Sequence, residues 1–178
     1  MNIKIIAEIG WNHMGDISLA KEMISAAASN GADIVKFQTW SESDLLSGPW
    51  DEDGRREIYR KAELTEEKHL ELIAICKNLN VEFLTSIFNL KHLKFLESLN
   101  MEAIKIPSHE IYNTELIGMV QSKFKRVLLS AGACKFKELK KSISIIDPKK
   151  LILMHCVSSY PLDSKRVNLP KLEKIKSL

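Results

Sequence analysis

Short runs of apolar, often β-branched residues alternate along the chain with longer segments whose apolar positions recur every three to four residues. The short runs are typical of buried strands, and the longer periodicity is typical of amphipathic helices. The pattern predicts strands at residues 3–8, 33–38, 81–87, 103–107, 127–130 and 151–156. It predicts helices at residues 17–29, 66–79, 90–99, 114–123 and 136–145, and a last helix that begins at Pro170.

Six strand–helix units with mostly apolar strands predict an α/β fold in which helices cover a parallel sheet. A doubly wound open sheet and a (β/α)8 TIM barrel both fit this order. The turn after the first strand, GWNHMG at 10–15, lacks the GxGxxG pattern of dinucleotide-binding sheets. A barrel takes about 250 residues. We therefore expect residues 1–178 to form one incomplete TIM-barrel domain, with the N-terminal six units and without strands 7 and 8.

The connection across residues 39–65 is unusually long and carries the turn signals Gly48-Pro49 and Asp53-Gly54. Loops of this length inside a compact domain are usually functional. We expect a lid or a binding loop here.

Composition changes this picture little. The 178 residues are 45% hydrophobic and 28% charged, which is ordinary for a globular protein. No apolar run reaches the 18 or so residues of a membrane span. Three cysteines without a CxxC spacing argue against a disulfide framework and a zinc site. We expect a cytoplasmic protein that does not contact a membrane.

Charge is distributed unevenly. Residues 1–120 carry a net charge of −7, and residues 121–178 carry +10. A basic half can indicate nucleic-acid binding. Here the lysines of segment 135–141 alternate with apolar residues at helical spacing, and no aromatic residues that could stack on bases interleave with them. We interpret them as a solvated helix face and expect no nucleic-acid partner.

Polar residues stand at the carboxyl end of strand after strand, which is where TIM-barrel active sites lie. Lys36 and Lys105 would repel each other in one barrel mouth unless an anion lay between them. Serine hydroxyls there can donate to phosphate oxygens. The pattern predicts a pocket for a small anion that carries phosphate and carboxylate, beside an acid/base group, Glu8. The strand-end residues are Glu8, Asn12, His13, Lys36, Gln38, Thr85, Ser86, Lys105, Ser108, Glu110, Ser130, His155, Ser158 and Tyr160.

Each of these residues alone also has an ordinary structural interpretation. A charged side chain near a strand end is commonly exposed or paired, and His155 in LILMH suits a hydrogen-bonded histidine of the core. Their convergence at one end of the sheet favours a site.

Five ordered motifs resemble those of the N-acetylneuraminic acid (sialic acid) synthase family. They are AEIGWNHMGD at 7–16, GADIVKFQT at 31–39, IKIPSHE at 104–110, LLSAG at 128–132 and MHCVSSYP at 154–161. The resemblance extends over the whole chain.

This resemblance implies a barrel that condenses phosphoenolpyruvate with an N-acetylated amino-sugar aldehyde. By position, the phosphate and carboxylate would be held by Lys36, Lys105, Ser108, Ser130 and Ser158. Gln38, Glu110 and Tyr160 would face the sugar, and Glu8 would be the acid/base. The resemblance also implies a homodimer and a divalent metal, typically Mn²⁺, that acts as a Lewis acid.

The chain departs from the family pattern at several points. The family's metal-binding histidines stand on strands 7 and 8, and its C-terminal antifreeze-like domain follows them; residues 1–178 contain neither, so we expect no metal ligand here. His109 replaces a glycine of many members, and Ser158 an asparagine of some.

Two alternatives remain open. One is a Schiff-base aldolase on the same barrel, with Lys36 or Lys105 as nucleophile. The other is a non-catalytic remnant that lacks two strands and so leaves unpaired strand edges. The motifs also leave the acceptor open among N-acetylmannosamine, its 6-phosphate and the precursors of legionaminic or pseudaminic acid.

Overall fold

The computed structural model describes residues 3–178 and contains one six-stranded sheet. All neighbouring strands are parallel, and their spatial order is the order of the chain. A doubly wound sheet would reverse direction at a switch point, so this order confirms the TIM-barrel prediction. The sheet does not close: among the described residues, the first and last strands each have one neighbour. The strands are β1 (Ile6–Gly10), β2 (Ile34–Thr39), β3 (Glu82–Ile87), β4 (Ala103–Ile106), β5 (Arg126–Ser130) and β6 (Leu151–Met154).

Seven α-helices accompany the strands, and none in residues 3–178 is long and apolar enough to cross a membrane. The predicted boundaries at 17–29 and 114–123 are confirmed, and Asp16 and Asn113 cap these helices by accepting from backbone N–H groups. The helices are α1 (Ile17–Ser29), α2 (Arg55–Ala62), α3 (Glu66–Asn78), α4 (Leu93–Ser98), α5 (Thr114–Lys123), α6 (Phe136–Ile143) and α7 (Lys171–Lys176).

Three predicted segments differ from the structure by more than one or two terminal residues. The first strand begins at Ile6 rather than at residue 3, since residues 3–5 are exposed and Ile5 N–H donates to the Asp33 carboxylate. The predicted helix at 90–99 is a 3-10 turn followed by α4. The connection 39–65 is not structureless: it contains two 3-10 turns and α2.

Apolar side chains fill both faces of the sheet. The outer face packs against the helices through large clusters that include Phe37, Leu72, Ile104 and Leu129. A smaller cluster on the inner face combines residues from all six strands, among them Ile34, Leu84, Ala103 and Leu128. This inner cluster forms the floor beneath the carboxyl ends of the strands.

A buried hydrogen-bonded chain ties α3 to the sheet. His69 Nδ1 donates to the Thr65 carbonyl at 2.8 Å, so His69 Nε2 accepts from the Thr39 hydroxyl, also at 2.8 Å. Thr39 in turn accepts from the Thr85 hydroxyl at 2.8 Å. His69 is fully buried, and this burial lowers the pKa of its imidazole. The fold therefore requires the neutral ring.

We predict that the free energy of unfolding decreases as the pH falls below about 6.5, the ordinary pKa of histidine. A depressed pKa in the folded state contributes stability above the unfolded pKa, and that contribution is lost as the pH falls. His13 and His92 act in the same direction, because burial lowers both of their pKa values. The measurement is urea unfolding of wild type and His69→Gln from pH 5 to 8.

The variant should show a shallower loss of stability towards acid pH. His109→Gln is the matched control because the His109 side chain is exposed, and it should keep the wild-type slope. Equal slopes in all three proteins would contradict the role assigned to His69.

Candidate functional site

A polar layer lies directly above the apolar floor of the sheet. Side chains two residues apart on a strand point to the same face, so Glu8 follows Ile6, Lys36 follows Ile34 and Lys105 follows Ala103 on the inner side. Ser86 follows Leu84 and Ser130 follows Leu128 in the same way. These polar side chains, which were predicted as separate strand ends, therefore lie on the same inner face of the sheet.

Lys36 is the centre of this layer. Its side chain is 4% exposed, and its ammonium contacts the Glu8 carboxylate at 2.5 Å. It also donates to the Ser86 hydroxyl at 3.1 Å. The parallel register explains both contacts, because Glu8 stands opposite Lys36 and Ser86 lies two residues beyond Leu84, the residue opposite Lys36 on β3.

Burial lowers the pKa of Lys36 to about 8, and repulsion from Lys105 adds to that shift while Glu8 opposes it. Lys36 and Lys105 therefore interact across the barrel mouth, as expected from the sequence. An anion between them would relieve the repulsion and favour the charged ammonium.

Ser108, Ser130 and Ser158, here called the serine cradle, stand at the carboxyl ends of β4, β5 and β6. Ser108 Oγ accepts from Gly132 N–H at 3.1 Å. A Cβ on Gly132 would lie 2.7 Å from Ser158 Oγ and 2.8 Å from Ser108 Oγ, so only glycine allows this approach. Ser130 is 1% exposed, and its hydroxyl has no hydrogen-bond partner among residues 3–178. A buried unpaired hydroxyl is costly, and a bound anion would satisfy it.

The end of β1 has an unusual backbone. Glu8 pairs with Lys36 but Gly10 pairs with Phe37, so the strand is bulged between them. Bulges of this kind re-aim side chains next to active sites. Gly10 has a φ of 59°, and a Cβ there would lie 3.2 Å from Glu8 Oε1 and 3.5 Å from Gln38 Nε2. Glycine therefore lets Glu8 and Gln38 lie side by side.

Gln38 and Glu110 open onto a neighbouring cavity of about 490 Å³. The Glu110 carboxylate accepts from Asn113 Nδ2 at 3.0 Å, which orients it. Residues of the 39–65 connection line the same cavity. Tyr160 is not brought to it: the side chain is 97% exposed on the loop after β6.

Several features of the site were not predicted from the sequence. Ser86 was recognised only as a strand-end residue, although it contacts Lys36 directly. The Gly132 amide could have been found from the LLSAG segment, because a glycine after a strand permits close approach. The rings of Trp11, Trp40 and Phe88 carry no shared sequence signal and come together only in the fold.

The described residues do not form a metal centre by themselves. Within residues 3–178, no group of three or more His, Cys, Asp or Glu side chains is arranged to hold a metal ion. His155 has a structural contact instead, since its Nε2 donates to the Val167 carbonyl at 2.7 Å.

Comparisons with known proteins identify relatives over nearly the whole chain. A family model described as the NeuB family matches residues 23–178. The chain is 34% identical over 191 residues to N,N'-diacetyllegionaminic acid synthase of Legionella pneumophila, covering 97% of this chain and 54% of that protein. It is 34% identical over 186 residues to pseudaminic acid synthase of Helicobacter pylori, covering 97% and 55%.

A solved structure gives the same result. The N-acetylneuraminic acid (sialic acid) synthetase of Leptospira borgpetersenii superposes with a TM-score of 0.90 at 32% identity, covering 99% of this chain and 62% of that one. The chain spans about half the length of the curated relatives it matches.

We predict that Ser130→Ala stabilises the ligand-free protein while weakening its affinity for a small anion, with phosphoenolpyruvate as the probe. Removing an unpaired buried hydroxyl should raise the free energy of unfolding by about 0.5–1 kcal/mol. The same change removes one donor to the anion. Urea unfolding and calorimetric titration measure the two effects.

Ser142→Ala is the matched control, because Ser142 is also buried but donates to the Ile111 carbonyl at 2.6 Å. It should lose about 1–2 kcal/mol of stability and keep its affinity for phosphoenolpyruvate. A Ser130→Ala protein that is both less stable and unchanged in affinity would contradict the assignment.

Proposed function

We propose, on the premise that this chain belongs to the NeuB family, that the protein condenses phosphoenolpyruvate with the aldehyde of an N-acylated amino sugar. The products are a nonulosonic acid and inorganic phosphate. Residues 3–178 would supply the phosphoenolpyruvate site and one side of the sugar site.

The observation that carries this proposal is a site above the apolar floor of the sheet in which the positive charge of two lysines is only partly neutralised by carboxylates. Lys36 is buried beside Lys105, and the one carboxylate that contacts it, Glu8, is half exposed. The unpaired hydroxyl of Ser130 lies at the same end of the neighbouring strands. A ligand with both a phosphate and a carboxylate would satisfy both lysines and the serine cradle.

The reaction assigns a task to each group. C3 of phosphoenolpyruvate forms a bond to the aldehyde carbon, water adds at C2, and the C2–O bond to phosphate breaks. Lys36, Lys105, Ser108, Ser130 and Ser158 would hold the anionic substrate, with Gln38 and Glu110 towards the sugar. Glu8 would take the proton of the attacking water or give one to the sugar oxygen. Its contact with Lys36 also supports a second role, the neutralisation of that ammonium.

The remaining features of the proposal rest on the family resemblance. We include a divalent metal, Mn²⁺, whose ligands would come from strands 7 and 8, because the described residues do not supply them. We also include a cytoplasmic homodimer. No step above is assigned to the metal.

One observation favours a second function, a Schiff-base aldolase. A nucleophilic lysine must be deprotonated near neutral pH, and the pKa of Lys36 is lowered to about 8. Borohydride reduction in the presence of pyruvate, a keto donor that can form the Schiff base, separates the two reactions. A trapped covalent adduct on Lys36 would support the aldolase, whereas phosphate release without an adduct supports the condensation.

We predict that Lys105→Met, in a protein that carries all eight strand–helix units, raises the KM for phosphoenolpyruvate and lowers kcat. Loss of one charge-assisted contact to a buried anion costs on the order of 1.5–3 kcal/mol, or roughly ten- to a hundredfold. Amino-sugar-dependent release of phosphate is the measurement. The exposed Lys137 provides the control, and Lys137→Met should behave as wild type. Unchanged phosphoenolpyruvate kinetics in Lys105→Met would refute the assignment.

We further predict that Glu8→Gln separates the two roles of this residue. The amide keeps the shape and removes the basicity. If Glu8 transfers a proton, kcat should fall roughly 10²–10⁴-fold with KM values nearly kept. If Glu8 only neutralises Lys36, the KM for phosphoenolpyruvate should change instead. Near-normal kcat in this variant would exclude the catalytic role.

A further inference from the structure

The cavity next to the anion site has an aromatic wall, formed by nearly half of its lining residues. Six ring-bearing residues line its volume of about 490 Å³: Trp11, Trp40, Trp50, Tyr59, Phe88 and His109. Tyr59 packs edge to face against two of the tryptophans, with centroids 5.2 Å apart for Trp11 and 5.9 Å for Trp40. Offset packing of this kind presents ring faces and edges to an apolar partner.

The charged groups of this cavity are carboxylates. Asp44 and Glu110 belong to its lining, and no lysine or arginine does so among residues 3–178. Lys91 lies near the cavity, but its ammonium is paired with Asp44, which also accepts from Asn89 at 2.7 Å. Glu110 has no lysine or arginine partner within the described residues; its contacts are Asn113 and the ring of His109, 3.8 Å away. A phosphate group placed here would face like charge.

Arg56 does not line the cavity, but its contacts stabilise the segment that carries part of the aromatic wall. Its guanidinium pairs with Asp51 and with Glu42, the latter at 2.5 Å, and donates to the Leu45 and Leu46 carbonyls at 3.2 and 3.4 Å. Because a guanidinium donates in a fixed plane, these contacts fix the segment between Glu42 and Asp51 against α2.

The same contacts determine where one aromatic ring lies. Trp50 Nε1 donates to the Leu46 carbonyl at 2.8 Å, so Arg56 and Trp50 share an acceptor. Asp51 also accepts from Gly48 N–H at 2.9 Å, which closes the turn that carries Trp50. Arg56 thus lies behind the wall while it orders the residues that form it.

We propose that this cavity selects an unphosphorylated, N-acylated acceptor sugar and that Arg56 is the positioning residue for its aromatic wall. The acyl methyl groups and the apolar ring face of the sugar pack against this wall. This inference rests on the proposed condensation and specifies its acceptor. An uncharged acceptor avoids the repulsion from Asp44 and Glu110, and the preformed wall lowers the cost of ordering side chains on binding.

Tryptophan fluorescence tests the proposal directly, because all three tryptophans of the chain line this cavity. The 178-residue chain, saturated with phosphoenolpyruvate, is titrated with N-acetylmannosamine and, separately, with N-acetylmannosamine 6-phosphate. We expect the unphosphorylated sugar to change the emission and to bind at least tenfold more tightly than its 6-phosphate.

The outcomes distinguish this inference from the proposed function. Equal or tighter binding of the 6-phosphate overturns the acceptor class and leaves the condensation standing. Absence of any emission change with either sugar, while calorimetry shows bound phosphoenolpyruvate, overturns the cavity assignment. Failure of phosphoenolpyruvate itself to bind counts against the proposed function.

Arg56→Lys tests the positioning role, with Arg126→Lys as the matched control because Arg126 pairs with Glu82 and Glu102 at the amino ends of the strands, away from the cavity. Arg56→Lys should weaken N-acetylmannosamine binding at least tenfold, increase acrylamide quenching of the tryptophans and leave phosphoenolpyruvate affinity unchanged. A parallel loss of both affinities would indicate general unfolding and overturn the role. If Arg56→Lys does not fold, Asp51→Asn removes one charged partner and should shift the same two readouts.

Discussion

Parallel strands held in register direct side chains two residues apart to the same face, and this constraint stacks a polar layer on an apolar one. Ile34 and Lys36 on β2, and Ala103 and Lys105 on β4, are two such pairs. The apolar layer excludes water from beneath the polar groups. Lys36 is therefore desolvated, and its charged form depends on Glu8, on Ser86 and on whatever anion enters from above.

In the ligand-free site, two buried polar groups lack full electrostatic or hydrogen-bond compensation at the positions where a ligand would bind. Lys36 has a pKa lowered to about 8, and Ser130 has a buried hydroxyl without a partner among the described residues. Both features oppose folding, since unpaired buried polar groups are destabilising. Proteins keep such violations at functional sites and offset them elsewhere. Here the outer apolar clusters provide that stability, while the groups needed for an anion stay preorganised.

The sequence was sufficient for the parts of the molecule that local rules govern. The boundaries of α1 and α5 were predicted correctly from apolar periodicity, and Asp16 and Asn113 cap the two helices at those boundaries. By contrast, α2 was missed because its sequence RREIYRKA has little apolar periodicity, and Arg56 orders the segment in front of it through tertiary contacts. The polar strand ends were predicted because each of them follows its own strand in the sequence. The aromatic cavity was not predicted, because its rings are scattered between residues 11 and 109.

The position of each strand in the sheet also explains why some residues of the site are shielded from solvent and others are exposed. Lys36 and Ser130 belong to β2 and β5, which have neighbours on both sides, and they are 3% and 1% exposed. Glu8 on β1, and Ser158 and Tyr160 after β6, follow strands with one neighbour among the described residues, and all three are exposed. Electrostatic attraction is stronger where water is excluded. The inner strands therefore provide the desolvated groups that would hold an anion, while Glu8 keeps its contact with solvent.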